Sequence, residues 1–265
     1  MFPGATPLKR RRLLMLALGP LAGVTRAADD PTDGDPFRSI QWPGLKREHF
    51  GADARVEFDP RVQVRGPALA ENPVVVPISV AVEGLPDVQR IVVIVDRNPI
   101  RKVLEFEPLP GRALPAISFR FRLEQASPVR AAAQTRDGVW HVGGTLVDSA
   151  GGGCTVSGVT RQDGSWAQTL GQVSGRVFPE LDGRGARLRV RVMHPMDTGL
   201  VGGIPAFYLK RIAVRDAGGT ELLRLATFEP VSENPVFSFD LPGRPVGPLR
   251  VSGVDNNGNR IEGTV

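Results

Sequence analysis

Residues 188–192 read Leu-Arg-Val-Arg-Val and residues 119–122 read Phe-Arg-Phe-Arg, an alternation of apolar and charged side chains with a period of two. Successive side chains of a strand point to opposite faces, so this pattern predicts half-buried antiparallel strands with one apolar and one wet face. The constraint extends along the chain, because 31 Gly and 24 Pro among 265 residues cut the apolar residues into short strings of Val, Ile and Phe. Such strings suit brief strands joined by turns and leave no room for long helices. Strands are predicted at 74–82, 90–95, 117–122, 129–135 and 138–147, and then at 171–178, 186–193, 208–214, 221–228, 236–240, 249–254 and 259–265. Asp216-Ala217-Gly218-Gly219 and Asn257-Gly258 lie between apolar runs and predict hairpin connections. The pattern predicts an all-β protein with two immunoglobulin-like β-sandwich domains in tandem, residues 45–148 and 166–265, each large enough for its own core.

The first 27 residues read as a signal peptide. Lys9-Arg10-Arg11-Arg12 is followed by a short apolar run from Leu13 to Val24 and by Thr25-Arg26-Ala27, a small-x-small cleavage site. The arginines before Leu13 and Leu14 resemble a twin-arginine signal. The apolar run is too short to span a bilayer, so the expectation is a periplasmic protein with no membrane span. Residues 28–44, with Asp29, Asp30, Asp33 and Asp35, are expected to be a flexible acidic leader. The formal charge of +5 comes from 33 basic and 28 acidic residues. Lys9, Arg10, Arg11, Arg12 and Arg26 precede the cut and no acid does, leaving 28 against 28, so nucleic acid is not an expected partner.

Gly151-Gly152-Gly153-Cys154 lies in the Gly-, Ser- and Thr-rich stretch 149–165, which reads as the linker between the two halves. Cys154 is the only cysteine and has no internal disulfide partner. Three glycines constrain the backbone little, and the sequence neighbours of Cys154 offer no apolar cover. The expectation is a mobile, exposed thiol suited to covalent attachment, able to form an intermolecular disulfide dimer.

Several segments resemble two known families. In the second half, His194-Pro195-Met196-Asp197-Thr198-Gly199, Ile204-Pro205-Ala206-Phe207, Ser232-Glu233-Asn234-Pro235-Val236-Phe237-Ser238-Phe239 and Val254-Asp255-Asn256-Asn257-Gly258 resemble SoxZ. In the first half, Asn72-Pro73-Val74-Val75-Val76-Pro77-Ile78 and Asp96-Arg97-Asn98-Pro99 are similar to SoxY, the carrier subunit of periplasmic sulfur oxidation, whose tail bears a Gly-Gly-Cys motif. One chain holding both parts looks like the fused SoxYZ-like carriers that accompany quinoprotein dehydrogenases. The resemblance implies a carrier, not an enzyme, with a sulfur-containing intermediate bound covalently to Cys154. It implies partners among the redox enzymes of sulfur oxidation or a quinoprotein dehydrogenase system, and a packing or interface role for His194, Pro195, Met196, Asp197, Thr198 and Gly199. Here the chain continues past Cys154 into Thr155-Val156-Ser157-Gly158, so the arm is tethered at both ends. The alternative function is a non-covalent adaptor for a periplasmic dehydrogenase.

Other chemistry has little support in the sequence. His49, His141 and His194 lie far apart, and with one Cys they offer no metal-ligand spacing; no metal site, catalytic group or resident cofactor is expected. Ser157, Ser165 and Ser174 lack a nucleophile elbow. Trp42, Trp140 and Trp166 are expected as core or interface anchors.

Overall fold

A computed structural model describes residues 30–179 and 185–265, together with Met1 and Gly4. The signal-peptide reading therefore falls outside the described residues, apart from those two. Residues Pro31–Val265 form one compact unit. Its first half contains helix α1 (Trp42–Phe50) and strands β1 (Val56–Phe58), β2 (Val62–Arg65), β3 (Leu69–Ala70), β4 (Val76–Val82), β5 (Val88–Val95), β6 (Lys102–Pro108), β7 (Ala116–Phe121), β8 (Ser127–Thr135) and β9 (Trp140–Ser149). Two short helices follow, α2 (Val159–Asp163) and α3 (Trp166–Thr169). The second half contains β10 (Val173–Pro179), β11 (Ala186–Val192), β12 (Leu209–Arg215), β13 (Glu221–Thr227), β14 (Val236–Leu241), β15 (Arg250–Asp255) and β16 (Arg260–Thr264). No helix among the described residues is long and apolar enough to cross a membrane.

The protein is mostly β, and its sandwich halves share both of their sheets. Sheet 1 runs β1-β9-β8-β5-β6-β13-β12-β15-β16, with β3 beside β9; sheet 2 runs β10-β11-β14-β7-β4-β2. The halves meet edge to edge, where β6 pairs with β13 and β7 pairs with β14. Four strand edges that would otherwise be open to other chains are thereby closed in pairs. The core between the sheets is continuous across the junction, where the Phe106 and Phe239 rings lie 5.5 Å apart. The expected hairpin turns are present, with Gly219 and Gly258 both at positive φ.

The acidic leader is not flexible over its described part, which corrects the expectation for residues 28–44. Residues 31–41 turn across the outer face of sheet 1 and lead into α1. Asp35, only 4% exposed, accepts from Arg130 at 2.6 and 2.9 Å, and Asp96 accepts from the same guanidinium at 2.7 and 2.8 Å. The Trp42 and Phe37 rings lie 4.5 and 5.0 Å from that guanidinium. Trp42 and Leu45 then pack on Val92, Ile94, Ala132, Trp140 and Val142. This second core explains the unbroken apolar run Ile91–Val95 in β5: alternate residues face the inter-sheet core and the α1 layer, so both strand faces are buried.

Candidate functional site at the Cys154 loop

Cys154 is 1% exposed, which overturns the expectation of a mobile, accessible thiol. The cover comes from tertiary neighbours instead of flanking residues. Cys154 N donates to Glu124 Oε2 at 2.8 Å, and Sγ lies 3.6 Å from the Arg122 carbonyl oxygen. From the second half, Thr198 Oγ1 donates to the Cys154 carbonyl at 2.7 Å. Burial, with the Glu124 charge adding to it, pushes the thiol pKa up from 9.0 to about 12, against the opposing pull of Arg122. The thiol is protonated and non-nucleophilic in this state. A disulfide dimer has no route while the sulfur is covered.

The glycines serve close approach more than freedom. Gly152 N and Gly153 N donate to the carbonyls of Glu124 and Leu123, adding the loop as an irregular edge to the chain that leaves β7. A Cβ on Gly153 would stand 2.3 Å from the Pro73 carbonyl oxygen and 2.5 Å from that of Leu123. Backbone oxygens cannot yield as a flexible side chain does. Gly153→Ala is therefore expected to displace the loop at a cost of about 1–3 kcal/mol and to speed alkylation of Cys154 in the native protein. Unchanged alkylation kinetics would show that the fit is looser than these distances imply.

Arg122 holds the loop from beneath. Its side chain is buried, and Nη1 donates to the carbonyls of Val156 at 3.1 Å and Gly153 at 3.4 Å, on either side of Cys154. Among the described residues it makes no ion pair, and its Nε has no hydrogen-bond partner. Burial lowers its pKa, partly opposed by the charges of Glu233, Cys154 and Asp197. The alternation Phe119-Arg120-Phe121-Arg122 predicts a wet Arg122. Arg120 is exposed as expected, but β7 ends at Phe121, and the chain then turns Arg122 under the loop. The alternation gives no signal for this, and Glu124 likewise carries no local mark.

The motifs singled out from the sequence converge here. The carbonyl of Pro73 accepts from Leu123 N, and Ser232 Oγ donates to the Val74 carbonyl at 2.8 Å. Glu233 accepts from Thr160 N and Oγ1 at 3.2 and 3.0 Å, and Asn234 Oδ1 accepts from His194 N at 3.1 Å. Asp197 is ion-paired with Arg161, whose guanidinium lies 4.2 Å from the Trp166 ring centre. Residues 193–196 are not strand; Met196 has φ 50°, and its Sδ accepts from Leu209 N at 3.3 Å. Pro195 is buried, and Gly199 turns the chain at φ 77°. The His194 ring packs against Phe207 in a tilted arrangement, with ring centres 4.5 Å apart.

Burial lowers the His194 pKa from 6.5 to about 4, although Asp255 and Asp197 pull it upward. Its Nε2 lies 3.6 Å from Asp255 Oδ2, too long for a hydrogen bond. The unfolded chain takes up a proton near pH 6.5 and the folded one only near pH 4, so stability is expected to fall as pH drops through that window, by up to about 1.4 kcal/mol per unit. His194→Gln should flatten this dependence in denaturant titrations. An unaltered pH slope in the variant would assign the effect to another group.

Comparison with known proteins follows the same division. The family model "Sulfur oxidation protein SoxY" matches residues 46–154, ending on Cys154, and "Sulphur oxidation protein SoxZ" matches residues 178–265. Among solved structures, the sulfur carrier protein SoxY from Chlorobium limicola f thiosulfatophilum is similar at 24% identity, covering 41% of this chain and 90% of that one, with a TM-score of 0.37. No curated protein matches the chain. The two matched segments take up most of the described residues and meet at the Cys154 loop, and the chain belongs to the SoxY and SoxZ families, one domain of each joined in a single polypeptide.

Proposed function

We propose that this protein is an exported covalent carrier that holds a sulfur-containing intermediate on Cys154 Sγ and alternates between the closed loop described above and an open one. SoxY and SoxZ are carrier proteins of sulfur oxidation, not enzymes, and their joining supports the carrier role. The observation that carries the reading is Arg122: a buried guanidinium that makes no ion pair among the described residues, gripping the carbonyls on both sides of the only cysteine.

The closed state protects the empty carrier, because a thiol with a pKa of about 12 neither attacks nor exchanges. Loading requires the Gly151–Gly153 segment to lift Cys154 into water, where its pKa returns toward the ordinary range. Joining Sγ to the terminal, thiolate-like sulfur of an anionic cargo forms an S–S bond with loss of the thiol proton to water and of two electrons, which the partner redox enzyme takes up. On reclosure, Arg122 supplies a positive charge and a spare Nε–H donor to an anionic adduct, where low dielectric strengthens both. Partners are redox enzymes of sulfur oxidation or a quinoprotein dehydrogenase system in the periplasm.

Intact-mass analysis of the protein taken from a sulfur-oxidising periplasm tests this directly. Expected are sulfur-containing adducts on Cys154 that reductant removes and that Cys154→Ser lacks. Burial of the thiol favours a second reading, a non-covalent adaptor. It requires an unmodified Cys154 and full partner activity with Cys154→Ser.

A further inference from the structure

The outer face of sheet 2 carries positive charge that no ion pair among the described residues compensates. Arg189 and Arg191 point outward from β11, Arg176 lies directly opposite Arg189 on β10, and Arg120 points outward from β7. With Val75, Ser174 and Val236 they line one open cleft of about 630 Å³. Like charges facing each other across a strand pair are unfavourable. Among the described residues none of these four arginines makes an ion pair, while Arg187, one row further, pairs with Asp240 at 2.7 Å.

This imbalance is local. The cleft on the outer face of sheet 1 is lined by four arginines and four glutamates, with Glu221 and Glu107 engaging Arg224 and Glu221 also engaging Arg215. The sheet 2 cleft has four arginines and one carboxylate, Glu233, which already accepts from Thr160. Glu233 is also the link to the functional loop, because Thr160 lies in the first turn of the short helix after Cys154. The cleft therefore borders the segment that must move.

We propose that this arginine cleft is the docking surface for an acidic face of a partner protein, which engages the chain beside the Cys154 segment. Its bidentate guanidiniums suit carboxylate recognition, and the small residues between them, Ser238 and Ser118, leave the sheet face open to approach. Docking does not depend on the thiol chemistry proposed above, so it is tested on full-length Cys154→Ser protein.

Poly-L-glutamate serves as the acidic probe. It is expected to bind with affinity that falls as salt rises, to slow hydrogen exchange in β7, β10 and β11, and to lose roughly tenfold or more in affinity with Arg189→Glu/Arg191→Glu. Arg211→Glu/Arg224→Glu, on the other sheet, should leave binding unaltered, and Arg189→Lys/Arg191→Lys should retain part of it. Equal binding by the two charge-reversed proteins overturns the proposal, as does exchange protection elsewhere. Displacement of the probe by inorganic sulfate at the same ionic strength as an ineffective chloride control would make the cleft a small-anion site instead. Binding to phosphatidylglycerol vesicles without binding to poly-L-glutamate would make it a membrane contact; either result rejects protein docking.

Discussion

Arg122→Met is expected to accelerate alkylation of Cys154 in the native protein by roughly 10- to 100-fold, with little loss of global stability. The two effects separate because Arg122 does two opposing things. Its Nη1 hydrogen bonds to Val156 and Gly153 hold the Cys154 loop shut, and hydrogen bonds from a charged donor contribute about 1.5–3 kcal/mol. Losing that from the closing equilibrium corresponds to the stated range of rates. The guanidinium is also a buried charge with an orphaned Nε, and replacing such a group by an apolar side chain of similar length relieves desolvation. Local opening and global unfolding thus move independently. The measurement is alkylation kinetics beside a denaturant titration. Alkylation at the wild-type rate would show that Arg122 is not the latch, and equal losses in both experiments would make it an ordinary core residue.

Arg130→Met should have the largest effect on stability. The guanidinium is fully buried between Asp35 and Asp96, beneath the Trp42 and Phe37 rings. Removing it leaves two buried carboxylates facing each other, and breaking a buried ion pair from one side costs about 3–5 kcal/mol. For a unit of this size the melting temperature should fall by about 6–20 °C. Asp35→Asn, which leaves the pair with Asp96 in place, should cost less. Residues 31–50 should become protease-sensitive before the sheets do, since Asp35 and Trp42 are their principal anchors. A stability change under about 1 kcal/mol for Arg130→Met would mean that the cluster is hydrated in solution.

Strand positions are the part of this fold that local chemistry states outright. The alternation at 188–192, the apolar run at 91–95 and the turns at 216–219 and 257–258 each encode their conformation within a few residues, and every predicted strand has a counterpart in the sheets. Strand β6 escaped because Lys102-Val103-Leu104-Glu105-Phe106-Glu107 alternates imperfectly, its charges being spent on Arg90, Lys102 and Arg224. Helix α1 escaped because an aromatic and basic segment rich in turn formers gives little amphipathic signal; its helicity comes from packing Trp42 and Leu45 on sheet 1.

At the candidate site, the sequence by itself determined the one nucleophile and the motifs around it. Cys154 is unique, follows three glycines and is flanked by two family resemblances, all of which are properties of chain order. What only the tertiary structure decided is the state of that thiol. Burial is a sum over neighbours distant in sequence, and those around Cys154 come from Arg122 to Glu124 on one side and Thr198 on the other. The same holds for Asp35, which composition marks as solvated and which the fold sets on Arg130, 95 residues away. Charge and flexibility read from a local window describe the chain in water. Once strands from both halves close over that window, solvent exclusion decides which groups are charged, which are paired and which can move.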